Sequence, residues 1–187
     1  FPTRRSSDLQ DCDAVAVAAG PGSFTGIRIG VSAAKGLAFA ADKPCAAVST
    51  LEAMARNVAH MDALVVCAMD ARRSQIYNAL FTSEHGRLTR RTPDRAIGLA
   101  ELAEELRSEP LPLVIVGDGA VLCEKALTES GLPCRLAPPQ LVMQNAMSVA
   151  LCAEDLARAG KLVSAQELLP VYLRPPQAQR LRQPPQI

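Results

Sequence analysis

A glycine-rich stretch between an apolar run and a helix-forming segment constrains this chain more than any other part of its sequence. It reads Gly20-Pro21-Gly22-Ser23-Phe24-Thr25-Gly26-Ile27-Arg28-Ile29-Gly30. The run before it, from Ala14 to Ala19, is apolar throughout and predicts a parallel strand covered on both faces. The segment from Ile27 to Ala40 is rich in small and apolar residues without proline, which predicts a helix. The pattern therefore predicts a strand, a glycine turn and a helix in succession.

The turn has two interpretations, which the spacing alone leaves open. Free N–H groups and the helix dipole converge at a helix N-terminus, so Gly20, Gly22, Ser23 and Thr25 can surround an anion, with Ser23 or Thr25 as the cap. However, the stretch lacks both the Gly-Lys-Ser/Thr ending of a P-loop and the third glycine of the dinucleotide fingerprint. A tight strand-to-helix connection accounts for the same glycines.

Small residues form a stripe along the predicted helix. Gly22, Gly26 and Gly30 recur every four residues, and such stripes let a second helix approach closely. Arg28 and Lys35, together with the short length of the segment, argue against a membrane span. The stripe therefore predicts a contact between helices in water.

Composition excludes several classes of function. The 187 residues are 49% hydrophobic, enough for one good core or two small ones. Basic and acidic residues number 20 and 19, and only 3% of the residues are aromatic, with no tryptophan. This balance argues against an extensive nucleic-acid surface or a base-stacking platform. No membrane span and no secretory leader is predicted.

The cysteines and histidines do not form a metal or redox motif. Six scattered cysteines, mostly within apolar segments, predict buried thiols in a reducing cytosol. His60 and His85 lie far apart in the sequence and are expected at the surface. We therefore predict no metal, no cofactor and no catalytic residue.

Several motifs together resemble, in order, those of the bacterial TsaB (YeaZ) family. After the glycine-rich stretch, the matching segments are Ala34-Lys35-Gly36-Leu37-Ala38, Val48-Ser49-Thr50-Leu51, Asp70-Ala71-Arg72 with Tyr77, Gly117-Asp118-Gly119 and Pro170-Val171-Tyr172-Leu173-Arg174. The resemblance extends from about Asp11 to Arg174. Only the first motif is specific by itself, whereas the ordered set is strong.

This resemblance implies an α/β fold of the actin/Hsp70/sugar-kinase-like (ASKHA) type, with two subdomains. It also implies a cytoplasmic, non-catalytic scaffold in the machinery that forms threonylcarbamoyladenosine in tRNA. The implied partners are a TsaD-type catalytic subunit, a TsaE-type ATPase and a second copy of the chain, with tRNA reached only through the complex. The alternative is an ATP-dependent phosphotransferase or hydrolase of the same superfamily. Against it, no segment combines a metal-holding carboxylate with a phosphate turn.

Comparison with the family also predicts the domain organisation. The first strands and first helix of the N-terminal subdomain have no counterpart, and residues 1–10 read as a non-native leader or a flexible polar tail. Residues 11–60 would be the remainder of that subdomain, and residues 61–144 the second subdomain, opened by a hairpin. Residues 145–174 would hold a helix capped by Asn145 and a closing segment. Residues 175–187 are proline-rich and predicted to be disordered.

Two sets of site residues follow. The predicted partner interface comprises Phe24, Gly26, Ile27, Arg28, Gly30, Val31, Lys35 and Phe39, unless these residues pack on a first helix of the same protein. A predicted cleft, which can face a nucleotide, comprises Gly20, Gly22, Ser23, Thr25, Asp70, Arg72, Gly117 and Gly119. A turn aspartate such as Asp70 most often bonds its own backbone instead. Ser49 and Glu52 are predicted to form a capping box.

Overall fold

The computed structural model describes residues 7–72 and 74–174, which form an α/β molecule with two sheets. The small sheet pairs β1 (Val15–Gly20) with β2 (Cys45–Ser49) in parallel. A single turn, α1 (Ser7–Gln10), precedes it, and the long helix α2 (Phe24–Ala41) connects its two strands. The predicted strand, turn and helix are therefore present, and the helix begins at Phe24 rather than Ile27 because Ser23 caps it.

The large sheet has six strands, ordered β5-β4-β3-β7-β8, and β6 also pairs with β4. Its strands are β3 (Ala63–Asp70), β4 (Gln75–Glu84), β5 (Arg87–Arg90), β6 (Arg95–Gly98), β7 (Leu113–Val116) and β8 (Cys134–Leu136). The predicted hairpin is confirmed, because β3 and β4 pair antiparallel, whereas β7 and β8 continue the sheet in parallel. The remaining helices are α3 (Thr50–Arg56), α4 (Leu99–Glu105), α5 (Ala120–Glu129) and α6 (Ala146–Arg158).

The core lies on both faces of each sheet. Alternate side chains of β3 point to opposite faces, as the period of a strand requires. One face packs against α4 and α5, and the other packs against α3. The small sheet packs against α2 on one side and against α3 and α6 on the other. Helix α3 therefore contributes to a core of each sheet.

Three of the predicted helix caps are tested by the structure. Ser23 accepts a hydrogen bond from the Gly26 N–H, and Asn145 forms a reciprocal capping box with Ser148. Ser49 caps α3 by accepting from the Glu52 N–H at 3.2 Å, as predicted. The other half of the predicted capping box, a hydrogen bond from the Ser49 N–H to the Glu52 carboxylate, is wrong. That carboxylate pairs with Arg90 instead, at 2.7 Å.

The predicted domain bounds remain predictions. Residues 1–6 of the expected leader and the whole expected tail, residues 175–187, lie outside the described residues. Within the described part, residues 7–10 form α1, and α6 returns to pack on the small sheet. No helix among the described residues is long and apolar enough to cross a membrane.

Candidate partner surface and glycine-turn cluster

Helix α2 buries one side against the small sheet, so only its other sides are available for contact with a partner. Ile27, Val31, Ala34 and Ala38 pack into the small-sheet core. Their spacing of three and four residues marks one face of the helix. The opposite face therefore points away from the sheet.

The structure divides the predicted partner interface among three sides of α2. Ile27 and Val31 are 8% and 4% exposed, so they cannot offer side-chain area to a partner while the core is intact. This corrects their assignment to the interface. Gly30 leans towards the sheet, because a Cβ on it would lie 3.7 Å from Cγ2 of Val17.

The outward side of α2 is apolar. Ile29, Leu37 and Phe39 are 66%, 47% and 67% exposed. Gly26 and Gly36 are exposed beside them, and a Cβ on Gly36 would meet no atom within 4 Å. Ile29 is absent from the predicted interface. Ile29 lies opposite Ile27 in helical projection, so one of the two must be exposed if the other is buried. The sequence alone does not show which side of the helix packs on the sheet.

The remaining predicted interface residues follow one flank of α2, where they meet the closing segment, residues 165–174. Lys35 donates through Nζ to the backbone oxygens of Gln166, at 2.9 Å, and Leu168, at 3.3 Å. Arg28 donates through Nε to the Tyr172 hydroxyl at 2.8 Å. The guanidinium of Arg28 also lies over the Phe24 ring, 3.9 Å from its centroid.

The closing segment also binds the end of β1. The Val171 N–H donates to the Ala19 carbonyl at 2.8 Å. Gly20 has a φ of +133°, and a Cβ there would lie 2.4 Å from the Val171 carbonyl oxygen. Position 20 therefore requires glycine for two reasons, the backbone conformation and the close approach of another chain segment.

The predicted cleft residues meet where strands β1, β3 and β7 end. The Asp70 N–H donates to Oδ1 of Asp118 at 3.1 Å, which joins the hairpin tip to the second glycine turn. A Cβ on Gly22 would lie 3.7 Å from Cε of Met69, so the first turn reaches the same place. The three turns are thus neighbours, and the predicted cleft for a nucleotide stays a prediction.

Contacts within the chain explain several of the glycines in this cluster. A Cβ on Gly117 would lie 2.1 Å from the Ala68 oxygen, and one on Gly119 would lie 2.9 Å from the Asp70 nitrogen. Asp70 accepts the Arg72 N–H at 2.7 Å, which confirms the expected bond to its own backbone. These observations favour the tight-connection interpretation of the turns. An anion beside Ser23 and Thr25, which are exposed, stays a prediction.

Most of the thiols pack in the core rather than forming a reactive site. All six cysteines lie in the described part of the chain without a disulfide, and four of them are buried. Burial raises the pKa of Cys123 to about 12 and also raises the pKa of Cys67 and Cys152. Such thiols stay protonated and unreactive near neutral pH. Over residues 7–72 and 74–174, no three His, Cys, Asp or Glu residues are arranged to hold a metal ion.

This arrangement has clear relatives among known proteins. A family model described as TsaD, tRNA N6-adenosine threonylcarbamoyltransferase, matches residues 4–169. The tRNA threonylcarbamoyladenosine biosynthesis protein TsaB of Escherichia coli strain K12 is 33% identical over 176 residues, covering 92% of this chain and 75% of that protein. The TsaB of Bacillus subtilis strain 168 is 40% identical over 120 residues, covering 64% and 52%. The chain thus spans about half of one relative and three quarters of the other.

Solved structures give the same result. YeaZ from Pseudomonas aeruginosa superposes with a TM-score of 0.74 at 27% identity, covering 88% of this chain and 75% of that one. An uncharacterized protein of that organism, with similarity to peptidase YeaZ, gives 0.75 at 27% identity, covering 89% and 76%. The sheets and helices therefore define an α/β protein of the actin/Hsp70/sugar-kinase-like class, as predicted. Within that class, the chain belongs to the TsaB (YeaZ) family.

Proposed function

We propose that this chain is a non-catalytic scaffold subunit of the complex that forms N6-threonylcarbamoyladenosine in tRNA. Its role is to bind and activate a TsaD-type catalytic subunit. Two relatives carry TsaB names that refer to this biosynthesis, and the matching family model describes the transferase. The match to a TsaD model also means that the proposed partner is a homologue of this chain.

The observation that carries the proposal is the apolar outward side of α2. A helix of 18 residues presents Ile29, Leu37 and Phe39 to solvent, with small residues between them. Ile29 points away from the sheet, and Leu37 and Phe39 lie on the two flanks beside it, about 80° to either side at roughly 100° per residue. Several exposed apolar side chains on one helix mark an interaction surface more often than a single exposed residue does. Gly26 and Gly36 allow the backbone of a second helix to come close.

The other proposed partners depend on this assembly. A TsaE-type ATPase would join the pair of subunits, and tRNA would be held mainly by the catalytic subunit, since this chain has a net charge of only +1. A second copy of the chain would compete for the same side of α2. Binding of a nucleotide beside the glycine turns is also a proposal.

The test mixes the chain with the TsaD-type subunit of the same organism and measures co-elution by size exclusion. We expect a heterodimer, and negligible ATP turnover by this chain alone. Ile29→Asp places a charge in the proposed contact and should abolish co-elution. Val121→Asp is the matched control, because Val121 is 67% exposed on α5 and should leave the complex intact.

Two results would contradict the proposal. One is separate elution of the two unmodified subunits at micromolar concentration. The other is robust ATP hydrolysis by the isolated chain, which would favour the phosphotransferase or hydrolase alternative.

A further inference from the structure

We propose that the closing segment, residues 165–174, is the second half of the docking surface, and that the partner brings a carboxylate to Arg28. This inference rests on the proposed function and adds to it a surface and a partner chemistry. It assigns a binding role to a part of the chain that lies outside α2 and about 130 residues after it.

The exposed side chains of the closing segment lie beside the flank of α2 that carries Phe24 and Arg28. Leu169, Val171 and Tyr172 are 65%, 43% and 38% exposed. The Tyr172 ring lies 5.2 Å from the Phe24 ring, measured between centroids, so the closing segment meets α2 at Phe24. A partner helix that covers Phe24 must therefore also meet Tyr172.

The closing segment is held in place before any partner arrives. Lys35 binds two of its carbonyl groups, Arg28 binds the Tyr172 hydroxyl, and the Val171 N–H binds β1. Arg174 adds a hydrogen bond to the Ala71 carbonyl at 2.9 Å, at the hairpin tip of the large sheet. A surface fixed at four points loses little conformational entropy on binding, which favours affinity.

Charge indicates the chemistry of the partner. Helix α2 carries two cations, Arg28 and Lys35, and no acidic residue. Lys35 is committed to carbonyl groups, and within the described residues Arg28 pairs with no carboxylate. Its terminal nitrogens thus keep their donors for another group. Covering a guanidinium without an acceptor is costly, whereas a carboxylate takes two parallel hydrogen bonds from it. The occupant should therefore be an apolar helix with an Asp or Glu at its edge.

A second copy of the chain meets this requirement poorly. Two α2 helices packed together would bring four cations to one interface and no acid from either helix. The acidic group of the closing segment, Glu167, already accepts from the hydroxyl and the N–H of Ser164, at 2.7 and 3.0 Å. The charge pattern thus favours the heterologous partner.

The experiment measures affinity for the TsaD-type subunit by titration calorimetry with three variants of the chain. Leu169→Asp should weaken binding by at least tenfold, although it changes no residue of α2. Arg28→Gln should weaken it by about tenfold or more, the loss expected for a charge-assisted hydrogen bond, and should flatten its salt dependence. Tyr172→Phe keeps the ring and removes the acceptor that orients Arg28, so a smaller loss is expected. Val121→Asp again serves as the control.

The outcomes separate this inference from the proposed function. If unmodified subunits bind and Ile29→Asp disrupts them while Leu169→Asp binds normally, the closing segment is not part of the surface and the inference fails alone. If the unmodified subunits do not bind, the proposed function fails. If the chain forms a homodimer that Leu169→Asp dissociates, the assignment of the partner is wrong. Unfolding midpoints in urea establish that each variant is folded, and Leu169→Ser replaces Leu169→Asp if it is not.

Discussion

Gly117 illustrates how a single residue can be fixed by backbone geometry rather than by chemistry. Its φ of +110° is rare for residues with a Cβ, and the Ala68 carbonyl oxygen occupies the space that a Cβ would take. The Gly117 N–H also donates to the Val142 carbonyl at 2.9 Å, so the turn cannot move freely. The glycine is therefore part of the joint between β7 and α5.

We expect Gly117→Ala to lower the free energy of unfolding by about 1–3 kcal/mol, because the new methyl group strains the turn. Urea denaturation measures this directly. Gly36→Ala is the matched control, since that site lies within α2 and is open. It should raise stability by up to about 1 kcal/mol. Equal effects of the two substitutions would contradict the explanation.

Among the secondary-structure elements, α3 is joined to the large sheet by a polar cluster at its N-terminus. Arg90 of β5 donates to Glu52 of α3 at 2.7 Å and to Asp94 at 2.6 Å. Asp94 also accepts from the Ser49 hydroxyl at 2.6 Å, and the Arg90 guanidinium lies 4.5 Å from the centroid of the Phe81 ring. The side chain of Arg90 is 32% exposed, which shields the cluster partly from solvent.

Arg90→Ala should destabilise the protein by about 1–2 kcal/mol, since two carboxylates lose their common partner. Lys125→Ala removes an exposed pair on α5, in which the nitrogen lies 3.9 Å from the Glu129 oxygen. That control should cost less than about 0.5 kcal/mol. Thermal or urea unfolding of both variants checks the difference, and a cost for Arg90→Ala no larger than the control would show that the cluster adds nothing.

Across the entire chain, the two sheets share α3 and should unfold together. Leu51 and Met54 of this helix are fully buried against the large sheet, and Ala53 is fully buried against the small one. A helix with side chains in both cores couples their unfolding, so we expect a single cooperative transition.

The two tyrosines allow this coupling to be measured. Tyr77 lies on the hairpin of the large sheet, and Tyr172 lies on the closing segment beside the small sheet. The chain has no tryptophan, so Tyr172→Phe and Tyr77→Phe each leave one fluorescent reporter. We expect each variant to show a single urea transition by fluorescence. Circular dichroism measures how far each substitution itself shifts the midpoint, and after that correction the two fluorescence midpoints should coincide. Midpoints that stay separate would show that the sheets unfold independently.

The parts of this fold that the sequence predicted are those with local causes. Ser23, Ser49 and Asn145 cap helices through residues three positions away, and Asp70 binds a residue two positions away.

The features that were not predicted depend on distant partners. Arg28 and Tyr172 are separated by 144 positions, and no local pattern shows that they meet. Ile29 is exposed and Ile27 is buried because the sheet packs on one side of α2 and not on the other.

The crowding between Gly20 and the Val171 carbonyl has a consequence for how this sequence can evolve. Any heavier residue at position 20 would push the closing segment away from β1 and disturb Tyr172 next to it. A substitution at position 20 is therefore tolerated only if the closing segment takes a different path past β1. The path of a chain segment about 150 positions away thus restricts position 20 to glycine.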